Sequence, residues 1–402
     1  MTSAASPAAA SPAAALLSAQ GQALLGALSG EDITPARALQ LSQELRGRYP
    51  ADLVAAALTQ QALRISGRAK FSLADVMLFT RPGLEQASPE VAAQHSAARF
   101  APFAAVADLC CGIGGDLIAL ADRSRVVAVD RDVTSLEFAR HNAVACGARY
   151  PVDAVCADVR ELVAATAGRP PVEAVFTDPA RRIGDRRLRA GLSEPSLDWC
   201  LSLTSWAPAV GIKAAPGLPR ELIPPDWEAE FVAVDRSLSQ ALLWSPALAT
   251  AARRATILPG GDTLTPQPGA EVPVAAPGEY LLDPSPAVTR AGLVEDLARG
   301  IGAWKIDPMI AFLTADRPIT TPFARTLRVV ESMPWHEKRA ARRLRELGIG
   351  SADIRRRGLA GDVEAIRRRL DLRGDGAATI VLTRRADRPW GLICQPVPRY
   401  GE

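Results

Sequence analysis

The chain has 402 residues, 48% of them hydrophobic and 23% charged, with a formal net charge of +3. That is an ordinary globular mixture, long enough for two or three domains. It contains no run of eighteen apolar residues, which excludes a typical spanning helix. The start, "MTSAASPAAASPAAALL", lacks the basic region of a secretory signal.

Residues 1–12 read as a disordered alanine-proline lead, and the rest of 1–100 as helical. "LSQELRGRYP" stops at Pro50 and "ADLVAAALTQQALRISG" at Gly67, while "SPEVAAQHSAARF" offers Ser88 as N-cap with Pro89 at the first helical position. From Phe103 the pattern changes. "VADL" (106–109), "RVVAVD" (125–130), "PVDAVCAD" (151–158) and "VEAVFTDP" (172–179) are strand-like runs that each reach an aspartate. Between them lie the helical "GGDLIALAD", "TSLEFARHNAVACG" and "VRELVAAT". This alternation predicts a parallel sheet covered on both faces.

After the helix-like "PSLDWCLSLTSW", the run "AVGIKAAPG" supplies a fifth strand, and "WEAEFVAVDRSLSQALLWS" two more joined by a short turn. These elements place a core domain at 101–258, followed by a Pro- and Gly-rich linker at 259–279. Residues 280–402 then read as a small α+β domain: the helical "PAVTRAGLVEDLARG", then β-α-β-α-β-β from "TLRVVES" to "WGLICQP". Between Lys338 and Arg373 twelve Lys or Arg face five Asp or Glu, a net of +7, so the rest of the chain carries −4. Such a local excess favours phosphate contact, and RNA binding through this arginine-rich domain is expected.

"DLCCGIGGD", Asp108 to Asp116, joins the first core strand to its helix. A dinucleotide turn of the G-x-G-x-x-G type would need a third glycine at Leu117, and a P-loop would need a lysine that is absent. The pattern present is D-x-x-x-G-x-G-G, with Asp108, Gly112, Gly114 and Gly115. Asp130 follows at the end of the second strand, placed to accept from ribose hydroxyls, with Arg131 beside it. Asp158 ends the third strand, where it can accept from an adenine amino group while the Val159 amide meets a ring nitrogen. Asp178 ends the fourth within "DPARR". Four acids at consecutive strand ends form one rim, where open α/β sheets bind ligands. A single one of them would read equally well as a helix N-cap.

These motifs resemble those of class I S-adenosylmethionine-dependent methyltransferases. "CGIGGD" with "AVDRD" is similar to the trimethylguanosine synthase group, and the C-terminal segments, among them "ESMPWHEKRAARRLRELGIGSADIRRRG", look like a THUMP-like domain. The resemblance implies an α/β fold with a Rossmann-like core, a helical N-terminal region and an RNA substrate. It implies S-adenosylmethionine held by Asp108, Cys110, Gly112, Gly114, Gly115, Asp130, Arg131, Asp158 and Val159. Asp178, Pro179 and Arg181 are the expected catalytic residues, Asp178 and the Pro179 carbonyl positioning an acceptor nitrogen.

Ala180 and Arg181 depart from the D/N/S-P-P-aromatic motif of amino-methylating relatives; Arg181 can stack on a base or grip a phosphate in place of the aromatic. D-P-x-R also resembles a motif of uracil-C5 methyltransferases, but the strand that should supply their cysteine nucleophile reads "AVGIKAAPG". Cys200 and Cys394 read as small core residues, and His95 as a histidine ahead of the core within possible reach of the pocket. The six cysteines form no CxxC pair and no zinc-like spacing with the three histidines, so no metal is expected, and reduced thiols suggest a cytoplasmic protein. The expected activity is methylation of a base nitrogen in structured RNA. A small-molecule or protein acceptor, an inactive cofactor-binding RNA scaffold and, more distantly, a nicotinamide oxidoreductase stay open.

Overall fold

A computed structural model describes residues 15–167, 172–180 and 192–397, together with the backbone of residues 182–183 and 186–187. The chain divides into two compact units, Met1–Glu228 with Ser239–Thr250, and Ala229–Leu238 with Ala251–Glu402. No helix among the described residues is long and apolar enough to cross a membrane.

The first unit opens with helices α1 (Ala19–Ala27), α2 (Pro35–Leu45), α3 (Ala51–Gly67), α4 (Arg81–Gln86) and α5 (Glu90–Ala98). Ser18, Thr34 and Thr80 cap α1, α2 and α4 through their side-chain oxygens. Helix α3 buries Leu53, Val54, Ala57 and Leu58 against α1, and it also buries polar side chains. Gln60 exchanges two hydrogen bonds with the Phe79 backbone, at 2.6 and 2.8 Å, and Arg64 Nε donates to Met77 O at 2.9 Å. These bonds supply the partners that an irregular buried segment cannot provide for itself.

Helix α5 begins one residue later than the expected Ser88 cap. Pro89 takes the N-cap position without a side-chain bond, while buried Ser88 donates to Gln240 Oε1 at 3.2 Å. A partner inside the fold has outcompeted the local one.

The strands that follow are β1 (Ala105–Leu109), β2 (Arg125–Asp130), β3 (Val152–Cys156), β4 (Ala174–Thr177), the short β5 (Arg182–Ile183) and β6 (Arg186–Arg187), which pair only with each other among the described residues, β7 (Ala209–Ala214), β8 (Glu228–Val234) and β9 (Ser237–Trp244). Helices α6 (Gly115–Ala121), α7 (Val133–Ala145), α8 (Val159–Ala165) and α9 (Leu197–Ser202) intervene. Within the first unit the strand order is β9-β7-β4-β1-β2-β3, parallel except for antiparallel β9. The expected Rossmann-like sheet with a reversed strand at its end is therefore present. Gly211 in β7 is required by packing, because a Cβ there would stand 2.6 Å from the Trp244 ring, itself 6.0 Å from the Phe100 ring.

Asn142 on α7 ties the N-terminal helices to the sheet. It is fully buried; its Oδ1 accepts from Leu78 N at 2.7 Å, and its Nδ2 donates to Leu78 O and Ile113 O, both at 2.9 Å.

The second unit contains β8 paired in parallel with β10 (Arg253–Leu258), which pairs with β11 (Asp262–Leu264). Then follow β12 (Tyr280–Pro284), α10 (Pro286–Ala291), α11 (Val294–Ile301), β13 (Trp304–Lys305), β14 (Leu313–Ala315), β15 (Ala324–Pro334), α12 (Glu337–Glu346), β16 (Ile349–Arg356), α13 (Val363–Leu370), β17 (Gly376–Arg385) and β18 (Arg388–Pro396). The expected β-α-β-α-β-β order holds from β15 to β18, and the sheet order is β13-β14-β12-β15-β18-β17-β16. Within this seven-stranded sheet, among the described residues, β16 and β17 alone pair in parallel. The sequence had shown neither β12 to β14 nor the break between α10 and α11, where Gly292 adopts φ 67° and ends the first helix.

Replacing Asn142 by alanine strands three buried backbone groups of Leu78 and Ile113. It should lower unfolding stability by on the order of 2–4 kcal/mol, read as a lower urea midpoint at unchanged slope.

Candidate functional site

The turn after β1 is built from left-handed residues. Cys110, Gly112 and Gly114 have φ of 62°, 53° and 87°, which swing the chain from β1 into α6. Gly114 is doubly constrained, since a Cβ there would lie 3.0 Å from Ala139 Cα. Cys110 holds the conformation without glycine's freedom, a strain of about 1 kcal/mol. Asp130 braces the turn from the end of β2: its Oδ2 accepts from Gly112 N and its Oδ1 from Asp132 N, both at 2.9 Å.

This turn borders a cleft of ≈ 450 Å³, into which Cys110, Gly112, Gly115, Asp130, Arg131, Asp158, Val159 and Asp178 all project or expose backbone. Asp108 lies beneath it, 1% exposed, and Gly114 packs behind it against α7. The predicted cofactor residues are thus brought together. Asp158 also caps α8, accepting from Arg160 N at 2.8 Å, and its pairing with the Arg160 side chain holds its carboxyl down to about 2. His95 on α5 does not line the cleft. Arg181 falls outside the described residues.

The electrostatics are those of a site that wants positive charge. Among the described residues, the lining carries six carboxylates, Asp116, Asp130, Asp132, Asp158, Asp178 and Glu194, against the guanidiniums of Arg131 and Arg160. Among the described residues, Asp108 Oδ2 and Asp116 Oδ1 find no hydrogen-bond partner although buried. Burial, then the charges of Asp116 and Asp178, push the Asp108 carboxyl well above the ordinary carboxylate range.

Three features escaped the sequence reading. Lys213, in the centre of apolar β7 and 2% exposed, donates to Asp116 Oδ2 at 3.1 Å and to Asp178 Oδ2. Burial alone would depress its pKa, but Asp116 and Asp178 outweigh that and raise it, so it stays an ammonium. Asp116 itself went unremarked as a site residue. Finally, α4 forms a wall of the cleft through Pro82, Gly83 and Gln86, with Lys70 Nζ donating to the carbonyls of Leu84, Glu85 and Ala87 at 2.7, 3.0 and 2.9 Å. The one available signal was a lysine, one of four in the chain, inside a run that is otherwise apolar.

Asp178 and Ala180 also line a second chamber of ≈ 320 Å³, with Pro179, Ser88, Lys213 and Gln240 around it. Beyond Pro179, Ala180 and Glu194 exchange two backbone hydrogen bonds of 2.9 Å, and Glu194 pairs with Arg160 at 2.8 Å. Burial pushes the Cys110 and Cys111 thiols up, and Cys200 up to about 12, so none of them is poised as a thiolate nucleophile.

In the second unit most cations between Lys338 and Arg373 are paired locally, for example Arg343 with Glu331 at 2.7 Å and Arg369 with Glu337 at 2.7 Å. Lys338, Arg339 and Arg368 are exposed and make no ion pair among the described residues.

Comparison with known proteins fits this arrangement. A family described as RNA cap guanine-N2 methyltransferase matches residues 103–181, one described as THUMP domain-like matches 324–396, and a domain of unknown function matches 11–66. Two Mycobacterium tuberculosis proteins, from strains CDC 1551 / Oshkosh and H37Rv, are described as uncharacterized S-adenosylmethionine-dependent methyltransferases. Each is 36% identical over 314 residues, 76% of this chain and 84% of the relative. A crystal structure of a candidate methyltransferase from Porphyromonas gingivalis W83 shares the fold, with TM-score 0.72 at 20% identity over 92% of this chain and 100% of that one. With its glycine turn and acidic rim, and with identity sustained along most of such a relative, the chain belongs to the S-adenosylmethionine-dependent methyltransferases that carry a C-terminal THUMP-like domain.

Proposed function

We propose that this methyltransferase acts on a nitrogen of a base in structured RNA. One observation carries the RNA assignment: exposed Lys338, Arg339 and Arg368, without ion-pair partners among the described residues, lie in the THUMP-like region of a chain otherwise negative in net charge. The match of the core to a family described by guanine-N2 methylation of RNA supports the choice of a nitrogen.

The cleft suits its cofactor. Asp116 Oδ1 in a lining dominated by carboxylates and Asp108 Oδ2 beneath it, both without a hydrogen-bond partner among the described residues, call for a cation, and S-adenosylmethionine carries an ammonium and a sulfonium. A dinucleotide would bring a pyrophosphate of the wrong sign. In this reading Asp108 faces the ammonium, directly or through water. Cys110, Gly112, Gly114, Gly115 and Arg131 shape the surrounding surface. Asp130, already accepting two backbone amides, receives the ribose hydroxyls on its remaining lone pairs. Asp158 and the Val159 amide meet the adenine.

The bound cofactor supplies an electrophilic methyl on a good leaving group, so alignment is the main demand on the protein. Asp178 and the Pro179 carbonyl hold the acceptor N–H groups, and Asp178 takes the proton that leaves. Arg181 contributes a stacking or phosphate contact to the RNA. The reduced thiols accord with a cytoplasmic setting.

Calorimetry with S-adenosylhomocysteine should show Asp130→Ala weakening binding by on the order of 1–3 kcal/mol; unchanged affinity would remove Asp130 from the cofactor site. In tritiated-methyl transfer to total RNA from a strain lacking the gene, Asp178→Asn should keep cofactor affinity and lose roughly 10²–10⁴ in turnover. Labelling only of protein or small molecules would refute the RNA assignment. Replacing Lys338, Arg339 and Arg368 together by alanine should flatten the plot of log RNA affinity against log salt by about 2, each lost phosphate contact contributing about 0.7–0.9. An unchanged slope would place RNA contacts elsewhere.

A further inference from the structure

Lys213 is built into a position that the fold alone does not call for. All six residues of β7 are buried, and the other five are Ala209, Val210, Gly211, Ile212 and Ala214. Placing an ammonium among them forfeits its hydration, and the ion pairs it gains typically do no more than balance that loss relative to an apolar side chain. What distinguishes it is where it reaches. Asp116 is the second residue of α6, directly after the glycine turn, while Asp178 begins the loop after β4 and lines both the cleft and the adjoining chamber. A single nitrogen therefore fixes the acidic residue behind the cofactor turn and the acidic residue expected to hold the methyl acceptor.

We infer that Lys213 is a positioning residue for methyl transfer: it pins Asp178 Oδ2 so that Oδ1 is presented to the acceptor at a fixed distance from the cofactor turn. The inference rests on the proposed role of Asp178 but not on the acceptor being RNA. Two observations support it. Lys213 lines the second chamber together with Asp178, Pro179 and Ala180, so it stands beside the space an acceptor would enter. Its third N–H has no partner among the described residues beyond the two carboxylates, leaving a donor for the acceptor itself or for a water. Lys70 also borders this chamber, but its ammonium is committed to three carbonyls at the end of α4, which leaves Lys213 as the lysine that bonds Asp178.

The test is a double-mutant cycle on the full chain, using tritiated S-adenosylmethionine and a whole extract of a strain lacking the gene, with label counted in RNA, protein and small-molecule fractions. Lys213→Met should bind S-adenosylhomocysteine within about threefold of wild type yet transfer methyl about 10²-fold more slowly, as a misplaced catalytic group does. On an Asp178→Asn background the same change should cost less than about threefold, because two residues acting as one unit are not additive. Should Lys213→Met fail to fold, Asp116→Asn enters the same cycle, with a loss of about tenfold expected on the wild-type background and almost none beside Asp178→Asn. A merely structural ion pair predicts equal losses on both backgrounds, accompanied by weaker S-adenosylhomocysteine binding; that result, or a wild-type rate in Lys213→Met, overturns the inference. Label in protein or small molecules with the cycle intact would instead refute the RNA reading and leave Lys213 in place.

Discussion

Carboxylates withdrawn from water must find positive charge, be protonated, or cost several kcal/mol each. Asp108, Asp116 and Asp178 converge at the ends of β1 and β4 and the start of α6, and Asp108 and Asp116 are 1% and 8% exposed. Among the described residues one buried ammonium, Lys213, bonds to this group, and it engages one oxygen of Asp116 and one of Asp178. Asp116 and Asp178 border the cleft, and Asp108 lies beneath it with its carboxyl pushed well above the ordinary range. Neutral polar side chains nearby satisfy one another: Ser88 points inward instead of capping α5, and Gln240 receives it while donating to Ser96 Oγ at 3.1 Å. In the proposed reading, a cationic cofactor completes the charge balance.

The second requirement is a wall. The sheet alone presents its acidic rim to solvent, and the N-terminal helices turn that rim into a cleft. They do so through side chains bonding to backbone: Gln60 and Arg64 hold the segment before α4, Lys70 gathers the carbonyls at its end, and Asn142 joins Leu78 to Ile113 in the glycine turn. Gly83 sits so close to the turn that a Cβ would meet Ile113 Cγ2 at 2.5 Å. Cofactor binding and the integrity of the helical region are thus one problem. A destabilising change in α3 or α7 reaches the cleft without touching a ligand.

The parts of this site that were legible in the sequence are those whose meaning is local. The turn at Gly112 and Gly114 and the strand ends at Asp130 and Asp178 are written within a few residues each, as is the separate excess of arginine near α12 and α13 of the second unit. Lys213 was not legible as a partner of Asp116, because 97 residues separate them and only the sheet order brings them together. Ser88 was read as a cap for the same reason, its true partner lying 152 residues away. Strands β12 to β14, five, two and three residues long, carry too short an alternation to stand out among prolines and glycines. The positive charge of the C-terminal region was countable, but which cations remain exposed and unpaired depends on neighbours such as Glu331 and Asp283, contributed by other strands.

The pair of backbone hydrogen bonds between Ala180 and Glu194 has a consequence for how such a protein diversifies. Two positions, two residues after Asp178 and three before α9, are fastened to each other. Lengthening a loop closed in this way adds only the slowly growing entropy of a larger ring and exerts no pull on β4 or on Asp178. A change in the length of the connection between them is therefore mechanically insulated from Asp178. Chains of this kind can therefore differ in the length of this connection while β4 and Asp178 keep their places.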